Sequence, residues 1–239
     1  KLNIAYAAQN FVLPYGRNSN YNIKNLDANT TYTVSLYPIN QCNLIYNTPT
    51  QTTFTTLPTI GTAIYSSYTD TSVLISWDSA SSNMYSSVSI FNGNTSNIGI
   101  TNTYFNLQYL LPNTTYNSIA ILCYNSQGVE NTLLRQYLDP ITTLGTLNNY
   151  YINNILSSNI TVNWSGSNST VGIEVKQNSL TTFIQSNITG SNFKVTSGLQ
   201  PNIDYNVNII PYNSIGISNE TYRQFHTITT LARAPYLSN

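Results

Sequence analysis

The chain has 239 residues, a formal net charge of zero and only 7% charged residues, against roughly a quarter in an ordinary globular chain. Its eight Lys and Arg are scattered, which excludes binding to nucleic acid or an anionic membrane through a basic patch, and no apolar run is long enough for a membrane helix. The polar mass comes instead from 36 Asn, 59 Ser plus Thr and 20 Tyr, and because Tyr, Ile, Val and Thr alternate with polar residues, a folded β protein is predicted, not a disordered chain.

In chain order, "LNIAYAAQ" at 2–9 aligns with "SVSIFNGN" at 87–94. The chain is therefore expected to enter a repeat at its third strand, leaving an open sheet with Ile4 and Tyr6 exposed. "LDANTTY" at 26–32 then places a Leu six positions before a Tyr, and returns as "LLPNTTY" at 110–116 and "LQPNIDY" at 199–205. An alternating strand follows each Tyr, with Tyr32, Val34 and Leu36 on one face in the first copy and Tyr205, Val207 and Ile209 in the third. The middle copy holds one extra residue before Asn125, which a β-bulge can absorb.

An Asn-led turn closes each of these strands, "NQCN" at 40–43, "NSQG" at 125–128 and "NSIG" at 213–216. Gly128 and Gly216 suit a left-handed backbone position, which Asn43 tolerates best among non-glycine residues. "TTL" at 55–57 recurs at 142–144 and 229–231, an interval of 87 residues that also separates Trp77 in "VLISWD" from Trp164 in "ITVNWS". Val73, Ile75 and Trp77, and likewise Ile160, Val162 and Trp164, fall on one face of a strand and are expected in the core. Strands this short, separated by clusters such as "DSASSN" and "SGSNST" in units near 90 residues, predict two-sheet β-sandwiches without helices. The frame divides the chain into a partial repeat at 1–57, repeats at 58–144 and 145–231, and a linker or further repeat opening at 232–239, "ARAPYLSN". It also implies an upstream segment with a Trp 33–35 residues before Leu26, the spacing of 77 to 110 and 164 to 199.

Taken together, the Trp ending the second strand, the L-x-P-x-T/D-x-Y ahead of the sixth, the N-x-x-G and the Thr-Thr linker resemble tandem fibronectin type III repeats over nearly the whole chain. The resemblance implies an all-β fold of tandem immunoglobulin-like sandwiches arranged as a rod. It implies tyrosine corners at Leu26/Tyr32, Leu110/Tyr116 and Leu199/Tyr205, in which the phenol bonds back to the backbone upstream. Ala28 departs from the pattern where Pro112 and Pro201 stand in the other copies.

Catalytic chemistry finds no foothold. The carboxylates (Asp27, Asp70, Asp78, Asp139, Asp204, Glu130, Glu174, Glu220) form no pair at a recurring position, His226 is a lone strand histidine, and no phosphate-binding glycine motif is present. Cys42 and Cys123 fall in different repeats at non-equivalent places and are read as free thiols. No cofactor or metal is expected. The eight N-x-S/T sequons (Asn29, Asn94, Asn113, Asn159, Asn163, Asn168, Asn187, Asn219) match the number chance supplies in so Asn-rich a chain.

Contact function is expected in the turns at 40–47, 125–131 and 213–220, above all at Leu44, Ile45 and Tyr46, too apolar for a free loop. The expected role is a non-catalytic structural or interaction protein, its partners other structural proteins or copies of itself, and possibly glycan. Nucleic acid and membrane insertion are not expected. The uncharged Asn/Tyr/Ser style looks like virion proteins of AT-rich large DNA viruses, pointing to a virion surface, capsid-associated or fibre component. A secreted or cell-surface adhesion protein and accessory modules of a larger enzyme stand as alternatives, since fold does not separate them.

Overall fold

The computed structural model describes residues 2–6, 9–13, 20–42, 44–78, 85, 87–91, 96–166 and 169–233. The side chains of Ile4 and Tyr6, all of Asn43 and residues 234–239 lie outside that description. Every sheet is antiparallel in its described pairings, and the described residues contain no α-helix, only single 3₁₀ turns at Thr132–Leu134 and Glu220–Tyr222.

The first repeat contributes β1 (Leu2–Tyr6), β2 (Gln9–Leu13), β3 (Thr31–Pro38) and β4 (Thr50–Thr55), in the order β2-β1-β3-β4. The second contributes β5 (Ala63–Tyr68), β6 (Val73–Trp77), β7 (Ser87–Phe91), β8 (Ser96–Ile100), β9 (Tyr104–Leu107), β10 (Thr115–Tyr116), β11 (Ala120–Tyr124), β12 (Gln136–Tyr137) and β13 (Ile141–Thr142). These form a three-stranded sheet β5-β6-β9, a four-stranded sheet β12-β11-β7-β8 and a short β10-β13 ladder. In the third lie β14 (Asn149–Asn153), β15 (Ile160–Ser165), β16 (Thr170–Gln177), β17 (Leu180–Ile188), β18 (Asn192–Val195), β19 (Asp204–Tyr212) and β20 (Gln224–Thr229), in sheets β14-β15-β18 and β17-β16-β19-β20.

In the third repeat a three-stranded sheet accompanies a four-stranded one that holds the Tyr-led strand, the arrangement of a fibronectin type III-like sandwich. The second has both sheets, with Tyr116 set apart in the β10-β13 ladder, and the first shows its four-stranded sheet among the described residues. The chain is a tandem series of such sandwiches. β1 holds the place in its sheet that β7 and β16 hold in theirs, each paired with the Tyr-led strand or its continuation.

Alternation explains the cores. In β15, Ile160, Val162 and Trp164 are buried while Thr161 and Asn163 face partly outward; Val73, Ile75 and Trp77 repeat the pattern in β6. The third repeat packs these residues with Leu147, Val171, Ile173, Val175, Val195, Leu199, Tyr205, Val207, Ile209 and Ile228 into one cluster. Each fully buried aliphatic side chain of this kind stabilises by about 1.5–3 kcal/mol. The first repeat's described cluster is small: Tyr32 and Val34, with Ile23, Leu26 and Leu36 against them.

One expected feature takes a different form. β19 runs nine residues without a break, whereas its counterpart is interrupted at Asn117–Ile119. Thr115 and Tyr116 pair with Thr142 and Ile141, and only from Ala120 does the strand resume, paired with β7 and β12. The extra residue is therefore accommodated by a three-residue gap in the ladder, not by a bulge within it. Period two explains why: one added residue would turn every later side chain to the wrong face, so the chain leaves the ladder, buries Ile119 and Ala120 in succession and restarts.

The chain forms two compact units, one of Lys1–Ile64, Ser76–Phe105 and Ser118–Asp139, the other of Tyr65–Ile75, Asn106–Asn117 and Pro140–Asn239. The division cuts across the 87-residue frame and passes through the second repeat, at the interruption between β10 and β11. The first unit holds β1–β4 and the sheet β12-β11-β7-β8; the second holds the β10-β13 ladder and the whole third repeat.

Candidate functional site

Three copies of one corner and one turn, compared residue by residue, locate the surface that matters. At the corner, Tyr32 Oη accepts from Asp27 N (2.9 Å), Tyr116 Oη from Leu111 N (2.8 Å) and Tyr205 Oη from Gln200 N (2.8 Å). Leu110 and Leu199 are buried and Leu26 is half-buried. Asn29, Asn113 and Asn202 follow at φ 48°, 48° and 56°, a left-handed position that Asn tolerates. Each sends its N–H to the Leu ending the Thr-Thr-Leu linker, at 3.2, 3.0 and 3.3 Å.

The second Thr of that linker closes the corner from the other side. Thr56 Oγ1 donates to Asp27 O (2.7 Å) and accepts from Thr30 N (2.9 Å). Thr143 Oγ1 donates to Leu111 O (2.7 Å) and accepts from Thr114 N (3.0 Å). Thr230 does the same with Gln200 O and Ile203 N. A hydroxyl is needed because the position both donates and accepts.

The Asn-led turn is built by the side-chain oxygen of its first residue. Asn125 Oδ1 accepts from Gln127 N and Val129 N (3.0 and 2.9 Å), Asn213 Oδ1 from Ile215 N and Ile217 N (3.3 and 2.8 Å), and Asn40 Oδ1 from Cys42 N and Leu44 N (both 2.9 Å). A one-pair bridge completes each: Ile39 with Ile45, Tyr124 with Glu130, Tyr212 with Ser218. Gly128 and Gly216 take φ 74° and 85°.

The amide nitrogen of the same Asn does something else. Within the first unit, Asn125 Nδ2 donates to Thr56 O (3.2 Å), Ser126 N to Asn29 Oδ1 (2.7 Å) and Asn131 Nδ2 to Pro58 O (2.8 Å). Within the second unit, Asn213 Nδ2 donates to Thr142 O and Thr143 O (3.2 and 3.3 Å), Ser214 N to Asn113 Oδ1 (2.6 Å) and Asn219 Nδ2 to Gly145 O (2.8 Å). The turn of one repeat thus docks on the corner and linker of the repeat before it, by the same three donors at the same places. Gly145 permits the approach, since a Cβ there would lie 2.6 Å from Ser169 and 2.9 Å from Tyr212 O.

In the turns 125–131 and 213–220 the Asn residues at either end are thus engaged inside the chain, while residues 126–129 and 214–217 between them remain exposed. The first turn differs at its leading residue and at Leu44, Ile45 and Tyr46. Asn125 and Asn213 are 3% and 1% exposed, whereas Asn40 is exposed, as are Leu44 (67%), Ile45 (50%) and Tyr46 (67%). Tyr46 occupies the place of Asn131 and Asn219, as its N–H bond to Pro38 O shows beside those of Asn131 to Cys123 O and Asn219 to Pro211 O. Three sequon asparagines, Asn29, Asn113 and Asn219, sit in the joints.

Sequence reasoning missed Asn131 and Asn219 as joint donors. Their signal was present in the second and third copies, an Asn six positions after the turn Asn, but the first copy breaks the pattern with Tyr46.

Elsewhere the ionisable groups are spent on structure. Trp77 and Trp164 are buried, and Trp77 Nε1 donates to Tyr85 Oη (2.7 Å). Glu174 and Glu220 meet around Arg223, at 3.7 and 2.6 Å, with Lys176 2.9 Å from Glu174. Burial pushes Glu174 up, but bonds from Asn208, Lys176 and Thr181 outweigh it and hold the carboxyl below its ordinary range; Arg223 does the same for Glu220. Two carboxylates kept ionised beside cations form an ion-pair network, not an acid–base pair. His226 is exposed on β20, edge-on to Tyr150. Cys42 is exposed, while burial raises the Cys123 thiol. No group of His, Cys, Asp and Glu suited to a metal occurs among the described residues.

No family model matches the sequence, and no curated protein matches it. Among solved structures, the chain is similar to a two-domain fibronectin type III segment of chicken tenascin, at 18% identity and a TM-score of 0.46 over 72% of this chain and 99% of that one. It is also similar to the FN1–FN3 domains of chicken CNTN1, at 15% identity and a TM-score of 0.32 over 84% and 78%. A third likeness is to the central fibronectin-III array of RIM-binding protein, at 14% and 0.28 over 75% and 71%.

Proposed function

We propose that this chain is a non-catalytic structural segment, a series of linked sandwiches that spaces and holds its neighbours within a larger surface assembly. The observation that carries the reading is the use of the Asn-led turns. Two of the three are committed to joints between successive repeats, each through a buried Asn amide. Their Asn residues fix one repeat on the next, while residues 126–129 and 214–217 stay exposed. The repeat boundaries at 1–57, 58–144 and 145–231 belong to the same proposal, since the joint bonds recur on that frame.

The assembly we infer is a virion surface, capsid or fibre. Support comes from the scarcity of charge together with the abundance of Asn, Ser and Tyr, which suits close, uncharged packing against other structural proteins or further copies. Such contacts should respond weakly to salt, since few charges exist to be screened. Quantitative mass spectrometry of purified particles from the producing cells tests the reading. Retention in particles at a copy number comparable to known shell components is expected; release with soluble secreted protein, without particle association, would overturn it.

A further inference from the structure

We propose that the outer face of the second repeat's three-stranded sheet binds a neutral hexose at the end of a glycan chain, in a site built on Ile64, Ser76, Asp78 and Tyr104. The inference goes beyond the structural role and does not rest on it.

Alternation along the strands sets the walls. Ala63, Ile75 and Trp77 are buried in the core, so their neighbours Ile64 and Ser76 take the opposite face, where Tyr104 of β9 is also exposed. Asp78 N donates to Thr62 O (3.4 Å) and Trp77 N to Thr103 O (3.0 Å), which fixes β6 between its two neighbours at this level. Counting along the strands from those bonds puts Ile64, Ser76 and Tyr104 in one row, a small serine between two large side chains. Thr62, Asp78 and Thr103 close the end of the row. These residues and Trp77 line a cavity of about 320 Å³, and all of them belong to the first compact unit.

The third repeat carries the same face with different residues. Tyr151, Asn163 and Asn192 lie opposite one another in β14, β15 and β18, and the bond from Trp164 N to Ser191 O matches that from Trp77 N to Thr103 O. Asn163 stands where Ser76 does, and its amide donates to Asn153 Oδ1 (3.0 Å). Asn192 replaces Tyr104, and Ser165, opposite Asn149, replaces Asp78. The serine floor, the aromatic wall and the carboxylate are therefore features of the second repeat alone among these two, and the sandwich is built without them in the third.

The chemistry of the lining selects the ligand. Thr62, Asp78, Thr103 and Tyr104 are exposed and Ser76 is half-buried, and among the described residues none of the five spends its side chain on a hydrogen bond. Hydroxyls donate and accept, whereas a carboxylate only accepts. The rim of a hexose, which also does both, matches the two kinds of group together, and its C–H face packs on an aromatic ring such as Tyr104. One carboxylate and no cation line the site, which disfavours acidic sugars and phosphates. A Lys or Arg side chain suits Asp78 but offers nothing for the three hydroxyls to donate to. The volume lies at the small end of ligand sites, about 300–1,000 Å³, and suits a sugar and not a folded partner. Exposure of the walls lets the rest of a glycan run into solvent.

The test uses the full chain, labelled with ¹⁵N and titrated with the methyl glycosides of glucose, galactose, mannose and their N-acetylamino forms. The amides of Ile64, Ser76, Asp78 and Tyr104 should shift with at least one of them, with a dissociation constant of about 1–10 mM, the weak end of specific binding. Those of Tyr151, Asn163 and Asn192 should not move. A tetrasaccharide ending in the same hexose should bind at least as tightly; weaker binding would mark a site for the free sugar and overturn the glycan.

Two variants probe the site without unfolding it. Ser76→Asn places on the floor the residue that the third repeat carries there and should abolish the shifts. Asp78→Asn keeps the shape, removes the charge and should weaken binding roughly 3- to 10-fold, the range of a single net hydrogen bond. Thermal unfolding should be unchanged in both, since the two side chains are not in the core. No shift at about 50 mM of any glycoside, shifts that neither variant weakens, or shifts centred on the third repeat would overturn the site. So would tighter binding of the peptide Gly-Lys-Gly at the same amides, which would mark a basic side chain as the occupant. Sugar binding and retention in particles are read separately, so the failure of either leaves the other standing.

Discussion

The turns 213–219 and 40–46 share one skeleton and meet different fates. In both, the Asn oxygen gathers two backbone N–H groups, and in both a single bridge closes the base. At 213–219 the amide nitrogen is buried on two linker carbonyls, while Asn40 is an exposed residue. The two ends of one side-chain amide thus do separable work: the oxygen folds the turn, and the nitrogen joins repeats. A turn that folds by itself can be carried along a tandem array and docked wherever a corner of the right kind lies opposite.

The sharpest way to break this comparison is Asn213→Ala. It strands buried Thr142 and Thr143 carbonyls as well as the N–H groups of Ile215 and Ile217, and should cost about 2–4 kcal/mol, from the penalty for unsatisfied buried polar groups. Denaturant unfolding of the full chain measures it, and a loss below about 1 kcal/mol would mean that the joint is not buried in solution. Thr143→Val tests the corner beneath the same joint. It keeps the shape but removes both hydroxyl bonds, leaving Thr114 N unpaired, and should cost roughly 1–2 kcal/mol; the half-buried Thr56 should lose less from the same change.

A pH titration separates the joints from the charges beside them. Glu174 and Glu220 hold their protons less readily in the folded chain than in the unfolded one. Their contribution is therefore complete above the ordinary glutamate value near pH 4.3 and lost as pH falls through the lowered folded values. The joint bonds contain no titratable group. Hydrogen exchange at Ser214 should thus keep its protection at mildly acid pH while overall stability declines, and a parallel loss of both would couple joint and ion pairs. The smallest effect belongs to Asn40→Ala: at an exposed turn, water replaces the lost bonds, and thermal unfolding should register less than about 1 kcal/mol.

Trp77, Trp164 and the alternation around them made the sandwiches legible from the sequence, because period-two burial leaves its trace in the order of residues. The recurrent Leu and Tyr marked the corners for the same reason, since both partners of that contact lie within one short phrase. The interruption at Asn117–Ile119 was visible only as one surplus residue. Whether it became a bulge or a gap depended on which neighbours could pair on either side, and those lie far off in the chain.

The sequence by itself determined the fold class, the period and the shape of each Asn-led turn, all of which rest on contacts between residues near in sequence or on a repeating pattern. The tertiary structure alone decided what the turns do. Ser126 N donates to Asn29 Oδ1 and Ser214 N to Asn113 Oδ1 across 97 and 101 residues, backbone groups meeting a side chain of a type found throughout the chain. In a sequence where 36 of 239 residues are Asn, composition cannot single out those that bridge two repeats. Burial marks the donors Asn125, Asn131, Asn213 and Asn219, because an Asn amide that loses water must find its partners in the protein.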